Sequence, residues 1–344
     1  MPKINVLIAG STGYIGIQLV KLLCKHKKVN IKYLCGNTSV GKNISFFDKS
    51  LKKYKLPKIS KLKSKNLKEV DVIFTSLPNG ESKKIANKLD ENKVLIDLAA
   101  DFRLKNRKIY KRYYGINTSY SKKNFKSIYG LPELKKKQIK KFKIIACPGC
   151  YPTSILIPLY PLLNKKLVDH GNIIIDSKSG YSGAGRGVHK KYKDKNLYGS
   201  TSAYGIPNHR HNAEIQQELD LINKKIQFTF TPHILPMFRG IISSLYINLK
   251  KGITANKVFT TLKNFYKKDE FIKVQNLNKM LSTNDVINTN NLHISVCKSK
   301  EKNKIIILST LDNLIKGGAG QAVQNLNIIF NYKINEGLKW KYFI

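Results

Sequence analysis

A chain of 344 residues exceeds what one ordinary hydrophobic core organises, which predicts two domains, and its 42% of apolar residues is enough to give each domain a core. The formal net charge of +42 raises nucleic acid or an anionic surface as a partner. The type of base argues against a specific nucleic-acid reader: only six of the 63 basic residues are arginine, and the 57 lysines are dispersed rather than gathered in one patch. Weak, non-specific affinity for polyanions is all that is expected from them. The five cysteines (Cys24, Cys35, Cys147, Cys150 and Cys297) are odd in number and lack disulfide-like density, which fits a reducing compartment. The first apolar run, Ile4–Ala9, is too short for a signal sequence, and no segment approaches the length of a membrane span. A cytoplasmic protein with no membrane partner is expected.

Ile4–Ala9 reads as a buried parallel strand, followed by a glycine-rich turn and an amphipathic helix over 14–25. A second strand is predicted at 30–35. The lysine-rich stretch 42–68 reads as surface structure around a short third strand. Residues 70–76 form a strong apolar strand ended by the turn Leu77-Pro78-Asn79-Gly80, then come a short helix and strands at 93–98 and 144–146. Strands alternating with helices predict an α/β, Rossmann-type parallel sheet. Beyond Cys150 the pattern changes. One helix over 152–163 precedes strands at 172–177, 226–230, 240–249, 293–297 and 304–311, with a helix near 255–266 between them. This predicts an α+β domain with a mixed, largely antiparallel sheet. A last helix over 313–329 is expected to return to the first domain. The predicted division is therefore 1–149 with 312–344 as an NADP-binding domain, and 150–311 as a catalytic and oligomerisation domain. Its strand-rich build predicts a homo-oligomer, dimer or tetramer.

Gly10-Ser11-Thr12-Gly13-Tyr14-Ile15-Gly16 lies between a predicted strand and a predicted helix. Glycine permits the tight turn and lets backbone approach a pyrophosphate, whose charge rests on the helix N-terminus. The spacing is a variant of the commoner Gly-x-Gly-x-x-Gly, and a plain strand-to-helix turn is the bland alternative. The end of the second strand, Cys35-Gly36-Asn37-Thr38-Ser39-Val40-Gly41-Lys42, lacks the acid that bonds the ribose hydroxyls of NAD. A 2′-phosphate would meet hydroxyls, backbone donors and Lys42 there, so NADP is the expected cofactor.

Ala146-Cys147-Pro148-Gly149-Cys150-Tyr151-Pro152-Thr153 is the most informative stretch. Cys150 falls where a strand ends and a helix begins, with Pro152 in the first turn, which proline favours. The positive end of a helix dipole stabilises a thiolate and makes it a nucleophile at neutral pH. A buried structural cysteine is one alternative, and a Cys147–Cys150 redox pair is another. A zinc site lacks a second pair of ligands at suitable spacing.

With Gly-Ser-Thr-Gly-Tyr-Ile-Gly at the start, Pro148-Gly149-Cys150-Tyr151-Pro152-Thr153 and His209-Arg210-His211, the sequence resembles the N-acetyl-γ-glutamyl-phosphate reductase family. Asp101-Phe102-Arg103-Leu104, Tyr129-Gly130-Leu131-Pro132-Glu133, Ser182-Gly183-Ala184-Gly185-Arg186 and the run DNLIKGGAGQAVQN from Asp312 to Asn325 extend the resemblance over nearly the whole chain. It implies NADPH-dependent reduction of N-acetylglutamyl 5-phosphate to the semialdehyde and phosphate in arginine biosynthesis. It also implies a build shared with aspartate-semialdehyde dehydrogenases. Aminoadipyl or aspartyl phosphate is the alternative substrate. Two departures stand out: Cys147 replaces the family's usual Asn, and Ala213 its usual Pro.

On this reading the Cys150 thiolate attacks the acyl phosphate, phosphate leaves, and a thioester forms. A nearby imidazole serves as acid and base. Alternate residues of an extended loop point the same way, so either His209 or His211 can face Cys150; we assign acid–base work to His211 and a substrate bond to His209. His26, His170 and His189 read as surface residues. Glu214 is expected to orient an imidazole or to meet the substrate amide. In a chain that uses lysine almost everywhere, Arg103 and Arg186 are the candidates for binding the substrate's anionic groups. The resemblance places Asn313, at the start of the last helix, against the nicotinamide end of the cofactor; a helix N-cap at Asp312 or Asn313 is the structural reading.

Overall fold

The computed structural model describes residues 2–115, 126–186 and 199–339. The chain divides into two units, Met1–Pro148 with Gly318–Lys339, and Gly149–Gly317. The first unit holds β1 (Ile4–Ala9), β2 (Val29–Cys35), β3 (Val72–Thr75), β4 (Val94–Asp97), β5 (Ser127–Tyr129) and β6 (Ile144–Ala146). They form one sheet in the order β2-β1-β3-β4-β6-β5, with every pairing parallel. Val6, Leu7 and Ile8 are wholly buried, as expected of a central parallel strand covered on both faces. The order reverses between β2 and β3, on either side of β1. In open parallel sheets this switch point leaves a crevice at the carboxyl ends of the strands.

The predicted third strand within 42–68 does not form. That stretch contains the 3-10 turns Ile44–Phe46 and Lys49–Lys53 and the helix Ser64–Lys68, and it touches the sheet by a single bridge between Cys35 and Ser60. A lysine-rich chain with few apolar positions has little to bury as a strand. The last helix, Gly320–Ile329, packs against the helices Tyr14–Leu23 and Pro132–Ile139. It is buried through Ile328 although it is rich in amides, and three of those amides are held by hydrogen bonds. Gln324 Nε2 donates to Glu133 Oε1 at 2.9 Å, Asn325 Nδ2 to the Gly130 carbonyl at 2.9 Å, and Asn327 Oδ1 lies 2.8 Å from His26 Nε2. His26 is thus buried, contrary to the expected surface position, and burial pushes its pKa down.

The second unit is built on β7 (Ile173–Gly180), β8 (Ser202–Ala203), β9 (Phe228–Leu235), β10 (Ile241–Asn248), β11 (Ile272–Val274), β12 (Leu292–Lys298) and β13 (Lys304–Leu311). Their order is β11-β12-β13-β10-β7-β9-β8, a mixed sheet in which β7–β9 and β11–β12 are parallel and the other pairs antiparallel. Along β10, buried and half-buried residues alternate strictly, so one face is covered more than the other. The Cys150–Asn164 helix lies on the covered face, tied down where Ser154 Oγ meets Ser243 Oγ at 2.8 Å and Ser243 meets Ser177 at 2.7 Å.

Candidate active site

Cys150 is the first residue of the Cys150–Asn164 helix, and Gly149 is its N-cap, with no side chain to satisfy the first N–H groups. The thiol therefore sits in the positive field of an uncapped helix N-terminus. It is half-buried. Two glycines enclose it. A Cβ on Gly149 would stand 2.4 Å from His211 Nε2, and one on Gly317 would stand 2.6 Å from the Cys150 Cβ. The imidazole of His211 thus occupies the space that a side chain at 149 would need.

Glu214 completes this group. It is wholly buried, its Oε2 accepts the Gly149 N–H at 3.0 Å, and its Oε1 lies 3.7 Å from His211 Nε2. These contacts set Glu214 beside the imidazole, as the first of its two expected roles requires. One carboxylate so holds the backbone before Cys150 and stands beside the His211 ring.

His209 and His211 do not lie in an extended loop. The Arg210–Asp220 helix begins between them, with His209 as its N-cap, and His209 Nδ1 accepts the His211 N–H at 3.2 Å. Helical geometry replaces the expected alternation, yet the two rings meet edge to face with centroids 4.8 Å apart. The His209 ring also packs on Tyr151, Tyr204 and Phe230, at 5.7, 5.2 and 5.5 Å. Burial, with Arg210 alongside, pushes its pKa down to about 4, so it is neutral at neutral pH.

The arginine candidates fall in different settings. In the first unit, Arg103 is nearly buried and its Nη2 donates to the Leu98 carbonyl at 2.9 Å. In the second unit Arg186 is exposed; residues 187–198, including His189, lie outside the described residues. Asn313 precedes a π-helix, Ile315–Ala319, rather than opening the long helix expected. Its Oδ1 accepts the Gly240 N–H at 2.8 Å and its Nδ2 donates to Ser182 Oγ at 2.9 Å, joining two loops. Asp312 is the cap, accepting the Leu314 and Ile315 N–H groups, and Arg239 Nη1 lies 3.3 Å from its second oxygen.

In the first unit a cavity of about 690 Å³ opens at the carboxyl ends of β1, β2 and β3, lined by Gly10, Thr12, Gly13, Gly36, Asn37 and Ser76 among others. Gly10 adopts φ +82°, and a Cβ on it would stand 2.2 Å from the Ser76 carbonyl oxygen. A Cβ on Gly16 would meet the Gly10 carbonyl at the same distance, so Gly16 serves close packing of helix on strand. Ser11 is buried and donates to the Cys35 carbonyl, while Tyr14 and Ile15 are half-buried and do not line the cavity. Lys42 does not reach it either: its Nζ lies 4.8 Å above the Phe46 ring. Lys63, Lys84 and Lys88 line it instead. The one acid among the lining residues, Glu81, is held by Lys84 at 2.6 Å. A bare helix N-terminus, a glycine turn and two further lysines, Lys63 and Lys88, beside the Lys84–Glu81 pair fit a dinucleotide that carries an extra phosphate.

Cys147 is buried, and burial pushes its thiol up to about 12, with Asn325 Nδ2 donating to Sγ at 3.7 Å. A thiol held neutral in this way is no partner for rapid disulfide exchange. Among the described residues no helix is long and apolar enough to cross a membrane.

Residues 5–142 match the family model of the semialdehyde dehydrogenase NAD binding domain, and 150–313 that of the semialdehyde dehydrogenase dimerisation domain. The chain is 44% identical to the N-acetyl-γ-glutamyl-phosphate reductase of Clostridium botulinum (strain Alaska E43 / Type E3), covering 97% of this chain and 98% of the relative. It is 41% identical to that of Ehrlichia canis (strain Jake), over 96% of each. Among solved structures, aspartate semialdehyde dehydrogenase II of Vibrio cholerae, complexed with ASA, shares the fold at a TM-score of 0.73 and 18% identity, over 96% of this chain and 99% of the other. Aspartate semialdehyde dehydrogenase of Candida albicans, solved with NADP, does so at 0.68 and 16%, over 95% and 98%.

Proposed function

The chain belongs to the N-acetyl-γ-glutamyl-phosphate reductase family, within the semialdehyde dehydrogenases, and on that premise we propose that it reduces N-acetyl-L-glutamyl 5-phosphate to the 5-semialdehyde and phosphate with NADPH, in arginine biosynthesis. The observation that carries the reading is local: a cysteine at an uncapped helix N-terminus, beside an imidazole seated over the preceding glycine and backed by a buried carboxylate.

His211 takes the proton from the Cys150 Sγ, and the helix terminus stabilises the resulting thiolate. The Sγ–carbon bond forms, the carbon–oxygen bond to phosphate breaks, and phosphate leaves with the electron pair. No strong acid is needed, because phosphate is already a good leaving group. Glu214 holds the imidazole in place through this step, and His209, neutral and boxed in by aromatic rings, fixes the backbone of His211. NADPH, when bound, supplies the hydride that takes the thioester to the aldehyde level. Gly10, Thr12 and Gly13 would face its pyrophosphate, and Lys63 or Lys84 its further phosphate. The exposed Arg186 is assigned to the substrate's anionic groups, with Arg103 as the second candidate; Asn313 holds the Ser182 and Gly240 loops together.

A homo-oligomer, dimer or tetramer, is part of this reading and is supported by the match of 150–313 to a dimerisation domain. So is a cytoplasmic setting, supported by the biosynthetic role of the family. The test is NADP+ reduction with N-acetylglutamate semialdehyde and inorganic phosphate. Wild type should turn over and Cys150→Ala should not; an alanine variant that keeps its rate refutes the chemistry.

A further inference from the structure

Two carboxylates between β4 and the following turn take no part in the chemistry above. Asp97 and Asp101 are both buried. Oδ1 of Asp97 accepts Thr75 Oγ1 at 2.6 Å, Ser82 Oγ at 2.7 Å and the Ala99 N–H at 3.1 Å. Its Oδ2 is buried without a hydrogen-bond partner. Asp101 Oδ1 accepts the Gly80 N–H at 2.6 Å and the Tyr110 hydroxyl at 3.1 Å, and its Oδ2 accepts the Lys83 N–H at 3.1 Å. Three of these donors, on Gly80, Ser82 and Lys83, belong to the first turn of the Glu81–Ala86 helix.

That helix needs such support. It has six residues, too few to persist alone, and its N-cap, Gly80, is left-handed (φ 93°) with no side-chain cap of its own. Asp101 supplies the missing cap from another part of the chain. Burying two like charges four residues apart is costly, and a neutral Asn or Ser would serve an ordinary turn at lower cost. The same helix presents Glu81, Lys84 and Ile85, with Lys88 just beyond, to the cofactor cavity.

We propose that Asp97 and Asp101 are positioning residues for the dinucleotide: they fix the Glu81–Ala86 wall so that Lys88, and Lys84 in its pair with Glu81, face the space its phosphate groups would take. The inference rests on the cofactor reading above and adds the part that makes the cavity rigid before the dinucleotide arrives.

The full chain would be titrated with NADPH, following nicotinamide fluorescence, for wild type, Asp101→Ala, Asp101→Asn and Ser82→Ala. In parallel, alkylation of Cys150 by iodoacetamide would be followed without cofactor by mass spectrometry of its peptide. The Kd for NADPH should rise about tenfold or more in Asp101→Ala, less in Asp101→Asn, which keeps an acceptor oxygen, and about threefold in Ser82→Ala. The alkylation rate should stay at the wild-type value, which a general loss of structure would not allow. A folded Asp101→Ala with unchanged Kd overturns the proposal, as does a fall in affinity matched by an equal change in alkylation. Should Asp101→Ala fail to fold, Ser82→Ala decides: unchanged affinity there overturns the proposal. Wild type that does not bind NADPH sinks the cofactor reading itself, a result separate from any of these.

Discussion

The charge on Asp97 should weaken the fold, and the effect can be isolated by replacing Asp97 with asparagine. Burial, with the nearby Asp101 adding to it, pushes the Asp97 carboxyl from its usual 3.8 up to about 6. The folded protein therefore holds this proton more tightly than the unfolded chain. The stability linked to the group is fully present below about pH 4 and is lost as pH rises through about 6. The difference between 3.8 and about 6 corresponds to roughly 3 kcal/mol, and no discount for solvent screening applies to a group with no exposed surface. Asparagine mimics the protonated acid at every pH. Urea unfolding of both proteins should show wild type losing ground to Asp97→Asn as pH rises, with about half of the 3 kcal/mol appearing between pH 5 and pH 8. Subtracting the two curves removes every other titration the proteins share. A stability gap that stays constant from pH 5 to pH 8 would refute the reasoning, because it would mean that Asp97 is ionised throughout that range.

Three further substitutions probe the thiol site. Cys147→Ser should keep most of the NADP+ reduction rate while lowering stability by about 1 kcal/mol, since the buried Cys147 thiol is neutral and takes no part in exchange. Loss of activity in a folded Cys147→Ser would revive the redox-pair reading. Gly317→Ala should lower kcat by about a hundredfold or more, because the new Cβ would need the space 2.6 Å from the Cys150 Cβ; a rate assay beside a thermal melt separates this from unfolding. Glu214→Gln keeps an acceptor for the Gly149 N–H but removes the charge beside His211. It should reduce kcat/KM by about ten- to a hundredfold, with Cys150 alkylation slowed in step.

The helix N-terminus at Cys150 could be read from the sequence because its signals are local. A strand end, Pro-Gly, cysteine and then Pro152 describe a helix N-terminus within eight residues, and the Gly10–Gly16 turn is equally compact. What the sequence hides is long-range. Nothing near residue 149 announces that an imidazole 62 positions later fills its missing Cβ, or that Glu214 is buried between them. Lys63 rather than Lys42 lines the cavity because a single bridge, Cys35–Ser60, brings its loop to the end of β2, and one bridge has no periodicity to detect. Strands β5, β8 and β11, of three, two and three residues, are too short to show alternation. The helices Arg107–Tyr114 and Arg210–Asp220 carry few aliphatic residues, and what they bury includes Tyr110 in the first and His211, Glu214 and Glu218 in the second, side chains that do not announce an inward face. At the histidines the expected extended backbone gives way to a helix start, because His209 caps the Arg210–Asp220 helix.

The late return of Gly320–Ile329 to the first unit bears on how the protein is made. A ribosome releases β1 to β6 and then the whole of Gly149–Gly317 before that helix emerges. Until then the Gly130 carbonyl, the Glu133 carboxylate and His26 await the amides that later satisfy them. The dinucleotide half, although first in sequence, is therefore the last to reach its finished state, and a released chain cut after residue 317 would retain every residue of the thiol site while the first unit lacked one helix.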